Sequence, residues 1–139
     1  MTYETGDILK GRIKEYPAWY HYGIVVVEED GVFVYHTSPD VKNEIGGSIV
    51  KESLDDWLKS RELVQVKPTG IAAERIKKIA TLLAHKNYNI YHFNCEHFLS
   101  FVQYEKWKSH QLYITAAISA ALLLCFGTII YINKKNSHK

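Results

Sequence analysis

Cysteine is nearly missing from this chain: its 139 residues hold two, Cys95 and Cys125. Cys125 falls inside a long uncharged apolar stretch, so a disulfide between them is implausible and a disulfide-stapled scaffold is excluded. The thiol left free at Cys95 suits a reducing compartment. No Cys-x-x-Cys pair is present, which removes the usual zinc frameworks. The nearest approach to a ligand set, His92-x-x-Cys95-x-His97 with His21 or His36, matches no standard spacing, so neither metal nor cofactor is expected. Charge imbalance is missing too. Seventeen Lys and Arg against fifteen Asp and Glu leave a net charge of +2. That gives no field to gather nucleic acid, and no nucleic-acid-binding signature is found. Repeats and low-complexity runs are absent. Met1–Lys14 is too polar for a secretory signal peptide.

Charged residues are wholly absent from Leu112–Ile132. At about 21 residues this stretch is long enough to cross a bilayer as a helix. Tyr113 and Tyr131 lie near its ends, where aromatic side chains favour the interface. Lys106 and Lys108 flank it on one side, Lys134 and Lys135 on the other. The expected organisation is a globular domain over 1–109, a transmembrane helix over 110–133 and a short basic tail over 134–139. The helix follows the domain and no signal peptide precedes it. This is the layout of a single-pass tail anchor with the domain in the cytosol. The flanking lysines weakly favour a cytosolic tail instead, and a helix lying in one leaflet is the alternative topology.

Strand signals dominate the first half of the domain. Ile8, Leu9 and Ile13 belong to a first strand or turn, followed by an aromatic loop, Tyr16–Tyr20. His21–Val27 and Val32–His36, rich in β-branched residues and joined by Glu28-Glu29-Asp30-Gly31, read as a β-hairpin. A polar loop spans Ser38–Gly47. A short strand follows at Ser48–Lys51, then a brief helix capped by Ser53, then a strand at Leu63–Val66 ended by Pro68. Thr69 is the expected cap of a helix over Ile71–His85, with Ile76, Ile79, Ala80 and Leu83 as its apolar stripe. Strands first and helices later mean α+β.

The chemistry-bearing stretch is Asn94-Cys95-Glu96-His97-Phe98. Asn94 is a good N-cap, and Phe98, Leu99, Phe101 and Val102 recur at helical spacing. Cys95 then opens a helix, where the positive end of the dipole favours thiolate, the nucleophilic form. The hairpin supplies a base. With Glu28–Gly31 as the loop, Val27 pairs with Val32 and His36 falls opposite Gly23. His21 and His36 then share a face as diagonal neighbours, with Gly23 leaving space beside them. A nucleophile, a base and a group that orients the base are what thiol hydrolases and transferases need. His97 is expected on the helix surface or supporting the site from behind, and Glu96 is a first-turn carboxylate favourable to the dipole.

Together, His21-Tyr22-Gly23-Ile24, His36 and Asn94-Cys95-Glu96-His97-Phe98 resemble the lecithin:retinol acyltransferase-like family. In layout the sequence is most similar to the small phospholipase A/acyltransferases. The resemblance runs from Gly6-Asp7 to about Trp107 and extends to the C-terminal hydrophobic anchor of those small members. It implies a circularly permuted papain-like fold with an antiparallel sheet, in which both histidines precede the cysteine. It also implies acyl transfer from a glycerophospholipid. Cys95 is the implied nucleophile, His21 the general base and His36 the residue that orients it. The Cys95 thioester would pass its acyl group to water, an amine or a lyso-lipid hydroxyl. The Cys95 backbone amide and Tyr20 are the implied oxyanion donors. Two departures mark this chain: the His21-to-His36 segment is a few residues longer than usual, and a longer loop before the cysteine helix is missing. The competing readings are a catalytically silent membrane or protein-interaction module of the same fold, and a thiol peptidase or amidase. A lipid substrate explains the anchor more directly than a peptide does.

Overall fold

The computed structural model describes residues 2–39 and 48–136. The polar loop expected over Ser38–Gly47 lies outside the described residues from position 40 onward. Five strands, β1 (Ile8–Ile13), β2 (Tyr20–Glu28), β3 (Gly31–Thr37), β4 (Ile49–Ser53) and β5 (Arg61–Lys67), form one antiparallel sheet in the order β4-β3-β2-β1-β5. Between β4 and β5 runs a short helix, α1 (Leu54–Lys59); α2 (Ala73–Leu83) and α3 (Cys95–Tyr104) follow. The domain is therefore α+β, with the strands leading and the helices trailing.

Alternation along β2 sorts its side chains onto two faces, each with its own apolar cluster. Ile24 and Val26 pack with Ile8, Tyr35 and the buried faces of α2 and α3, among them Ile76, Phe98 and Val102. Val25 packs with Leu9, Val34 and Trp57 on the opposite face. Helix α1 owes its start to Ser53, whose hydroxyl accepts the Asp56 amide. It crosses that second face from β4, one edge of the sheet, to β5, the other. Trp57, fully buried, lies over two glycines. A Cβ on Gly11 would stand 2.6 Å from the Trp57 ring, and one on Gly23 would stand 2.2 Å from Val34 Cγ1. The space at Gly23 is thus filled by Val34 and Trp57, not left open for an imidazole or substrate.

Two expected caps turn out differently. Thr69 caps no helix: α2 begins at Ala73 with no side-chain cap, and the Thr69 hydroxyl donates to the Gly6 carbonyl instead. Asn94 caps α3 as expected, accepting the amides of Glu96 and His97 at 3.0 and 3.1 Å. His97 is not a surface residue. It is buried, and its Nδ1 accepts the Asn94 amide, closing a reciprocal capping box. Behind the loop that leads into α3, Trp107 stacks on Phe93 and donates its indole N–H to the His92 carbonyl at 2.7 Å.

Residues Ser109–Lys139 form a separate unit built on one helix, α4 (His110–Asn136). Its stretch His110–Tyr131 is long and apolar enough to cross a membrane, with Leu123, Leu124, Phe126 and Ile130 all exposed. Its 27 residues make a helix about 40 Å long, more than the hydrocarbon core requires. The helix continues through Lys134 and Lys135 into the segment expected as a tail.

The packing at Gly23 yields a test of the fold. Gly23→Ala should destabilise the domain by about 1–3 kcal/mol through overpacking against Val34. In a Val34→Ala background the same substitution should cost far less, because the clashing methyl is gone. Urea unfolding of the four chains of this cycle, followed by tryptophan fluorescence in mild detergent, reads the coupling; additive effects would contradict the packing described.

Candidate active site

The β2–β3 ladder ends early, and the candidate site occupies the gap. The pairs run from Glu28↔Gly31, across a tight turn at Glu29-Asp30, to Ile24↔Tyr35. Val27 pairs with Val32 as expected, although the turn is shorter than four residues. Beyond Ile24 and Tyr35, β2 stays with β1 as far as Tyr20, and β3 stays with β4 as far as Thr37. The sheet therefore parts into a notch. His21 and His36 span it on the Trp57 face, with His21 Nε2 2.9 Å from His36 Nδ1 and the rings edge to face. Both are buried, His36 at 2 % exposure, and the Trp57 ring lies 6.5 Å from that of His21.

Cys95 reaches the notch from the other face. It is the first residue of α3, whose apolar side packs with Ile24 and Tyr35. The backbone N–H groups of Tyr22, Glu96 and Cys95 itself favour its thiolate form. Tyr22 is the residue after His21, so the nucleophile candidate sits against the backbone that carries the candidate base. Among the described residues no hydrogen bond joins the Cys95 sulfur to either imidazole. The structure thus brings the two histidines into direct contact and sets Cys95 near Tyr22, the residue after His21. Tyr20 lies on the Tyr22 face, its ring beneath Lys10 Nζ at 4.1 Å.

Electrostatics reverse one expectation. The helix start was expected to favour thiolate. Cys95 is only 4 % exposed, and burial pushes its thiol up to about 12, aided by the nearby Glu96 carboxylate and opposed by the three amides. Burial, His36 and Arg61 together hold His21 well below the ordinary imidazole range. Near neutral pH the pair is therefore a thiol beside an uncharged imidazole, not a thiolate beside an imidazolium. The Tyr22 phenol is also pushed up to about 12, by burial first and then by Glu96 and Cys95.

Glu52 and Arg61 belong to the cluster although no motif marks them. Glu52 Oε2 lies 2.9 Å from His36 Nε2 and 3.3 Å from Arg61 NH1. Burial opposes ionisation of this carboxyl, but the His36 and Arg61 contacts win and hold it below the usual range. Arg61 also donates to the Trp57 carbonyl at 3.0 Å, with its guanidinium over the indole. A glutamate two residues beyond the apolar pair Ile49-Val50, on a strand next to His36, is the one signal that pointed to it. Reading that signal needs the β3–β4 register. Among the described residues no cluster of three or more His, Cys, Asp or Glu is placed to hold a metal ion.

The neutral pair predicts how the site responds to pH. In a Cys125→Ser chain, the rate of Cys95 alkylation should climb about tenfold per pH unit from pH 6 to 10, with no plateau in the ordinary thiol range. A plateau below pH 8 would mean a thiolate–imidazolium pair. The folded-state pKa of His21 is depressed, so its contribution to stability is complete above about pH 6.5 and is lost as pH falls toward the folded value. Unfolding midpoints between pH 6.5 and 5 should fall less steeply for His21→Gln than for the unsubstituted chain.

No family model, no curated protein and no solved structure matches the chain.

Proposed function

We propose that this chain is a membrane-anchored thiol phospholipase A/acyltransferase with a permuted papain-like arrangement. One observation carries the proposal: the 2.9 Å contact between His21 Nε2 and His36 Nδ1, one residue along β2 from Tyr22, whose amide favours the Cys95 thiolate. Contact with His36 leaves Nδ1 of His21 to take the thiol proton. The sulfur attacks the ester carbonyl of a glycerophospholipid, and the carbonyl π pair moves onto oxygen. The Cys95 and Tyr22 amides are the donors placed for that oxyanion. Tyr22 is a better-supported second donor than Tyr20, because its N–H is among those that favour negative charge on Cys95. Collapse expels the lysophospholipid oxygen, which takes the proton from His21 and leaves a Cys95 thioester. Water, an amine or a lyso-lipid hydroxyl then gives its proton to His21, attacks the thioester and restores the thiol. The order of the chain, both histidines ahead of the cysteine, agrees with a circular permutation of the papain-like plan.

The uncharged helix His110–Tyr131 and the free Cys95 support a single-pass anchor with the domain facing the cytosol. Anchoring keeps the domain at high local concentration beside a lipid substrate. The burial of Cys95 favours a second reading, a silent membrane or protein-contact module that retains the constellation without using it.

Incubating the full chain in micelles of defined phosphatidylcholine and phosphatidylethanolamine, with fatty acid and N-acyl products measured, separates these readings. Cys95→Ala and His21→Ala should each reduce turnover by at least about a thousand-fold, because nucleophile and base act as a unit. His36→Gln should retain part of it. Turnover within about tenfold in Cys95→Ala would refute the thiol mechanism, and absence of turnover and of labelling by an electrophilic lipid probe would favour the silent module.

A further inference from the structure

We propose that Glu52 is a positioning residue that sets the tautomers of both histidines. It holds the proton of His36 on Nε2, so that His36 Nδ1 accepts from His21 Nε2–H and His21 Nδ1 keeps its lone pair for the thiol. The proposal rests on the reading of His21 as the base for Cys95.

The argument starts from competing acceptors around one ring. His36 Nδ1 has two neighbours, His21 Nε2 at 2.9 Å and the Thr37 carbonyl oxygen at 3.2 Å. A carbonyl can only accept, so Thr37 favours a proton on Nδ1. That tautomer defeats the base. His36 Nδ1–H would force His21 Nε2 to accept, and the single proton of a neutral His21 would then sit on Nδ1, the nitrogen meant to take the thiol proton. A doubly protonated His36 has the same effect.

Glu52 decides the contest from the other side of the ring. Its carboxylate also only accepts, and it approaches Nε2 more closely, at 2.9 Å, than Thr37 approaches Nδ1. Turning the His36 Nε2 lone pair toward a carboxylate oxygen at that distance, in a ring 2 % exposed, would be strongly repulsive. The proton therefore belongs on Nε2, and Nδ1 is left to accept. The register brings Glu52 there: His36 pairs with Val50 and Val34 with Glu52, so Glu52 lies diagonal to His36 on the same face. Arg61 keeps it in place by donating to the same oxygen while anchored on the Trp57 carbonyl. Glu52 contacts no reacting atom in this scheme and works through His36 and then His21.

The test reads tautomers directly. Long-range ¹H–¹⁵N spectra of the histidine-labelled full chain in detergent micelles distinguish Nδ1–H from Nε2–H rings, with His21→Gln and His36→Gln chains giving the assignments. In the unsubstituted chain both rings should be Nε2–H. In Glu52→Leu, His36 should move to Nδ1–H, and kcat on phospholipid should fall about 10²- to 10⁴-fold with KM within about twofold. Glu52→Gln can place one amide oxygen where both His36 and Arg61 donate. It should keep the original tautomers and kcat within about tenfold. A His36 that is Nδ1–H or doubly protonated in the unsubstituted chain would overturn the proposal, as would unchanged tautomers in Glu52→Leu or a Glu52→Gln chain as impaired as Glu52→Leu. Should Glu52→Leu fail to fold, the other two spectra decide. The spectra need no substrate, so both rings Nε2–H in a chain that turns over no lipid would refute the acyl-transfer reading and leave the Glu52 assignment standing.

Discussion

The candidate site depends on where one ladder of hydrogen bonds stops. Had β2 and β3 stayed paired past Ile24 and Tyr35, the amide of Tyr22 would have faced a partner strand rather than a sulfur atom. Beyond that point β2 keeps only β1 as a partner and β3 keeps only β4. A sheet normally keeps its two faces apart, and here the faces hold different parts of the cluster. The histidines lie on the Trp57 side and α3 on the other. Cys95, at the very start of α3, is the residue of that helix that lies near Tyr22, where the β2–β3 ladder has already ended.

The crossing of α1 over the sheet has a consequence for the histidines. Because α1 connects the two edge strands, residues far apart in the strand order, Glu52 on β4 and Arg61 on β5, meet beneath one short helix. Trp57 fills the middle, with Gly11 and Gly23 admitting its ring. The imidazoles are thus covered by packing that also fixes their polar partners. Rigid support of this kind matters more for a relay of hydrogen bonds than for an apolar core, since a half-satisfied buried network costs more than none.

Much of this was legible in the sequence, and what was not has identifiable causes. Period-2 alternation and the hairpin register depend only on local pattern, so the pairing of Val27 with Val32 and the shared face of His21 and His36 could be read directly. The Asn94 cap is equally local. Glu52 was missed because its role depends on the β3–β4 register, and an intervening loop of uncertain length hides that register. For His97 burial excludes the surface alternative, because its ring folds back onto the Asn94 amide where a first-turn histidine ordinarily faces water, and leaves the alternative of support from behind the site. The thiol pKa was misjudged for a different reason. Helix polarity is visible in sequence, but burial is not, and at Cys95 burial is the larger effect.

That balance bears on how such a site could work. A thiolate–imidazolium pair carries two charges at rest, and burying both would cost several kcal/mol per ion unless each were well solvated by the protein. A thiol beside a neutral imidazole avoids this cost. In the proposed reaction, charge appears only once a carbonyl is present to receive it, and it appears on the oxyanion and on His21. Water is already largely excluded there, so the Tyr22 and Cys95 amides act through a medium of low dielectric and stabilise a developing negative charge more strongly than they would in solvent. The burial that keeps the thiol unreactive at rest is therefore the same property that would strengthen its oxyanion donors. A relay ending in Glu52 suits this scheme, because it supplies an acceptor for the far end of the histidine pair while Arg61 offsets its charge.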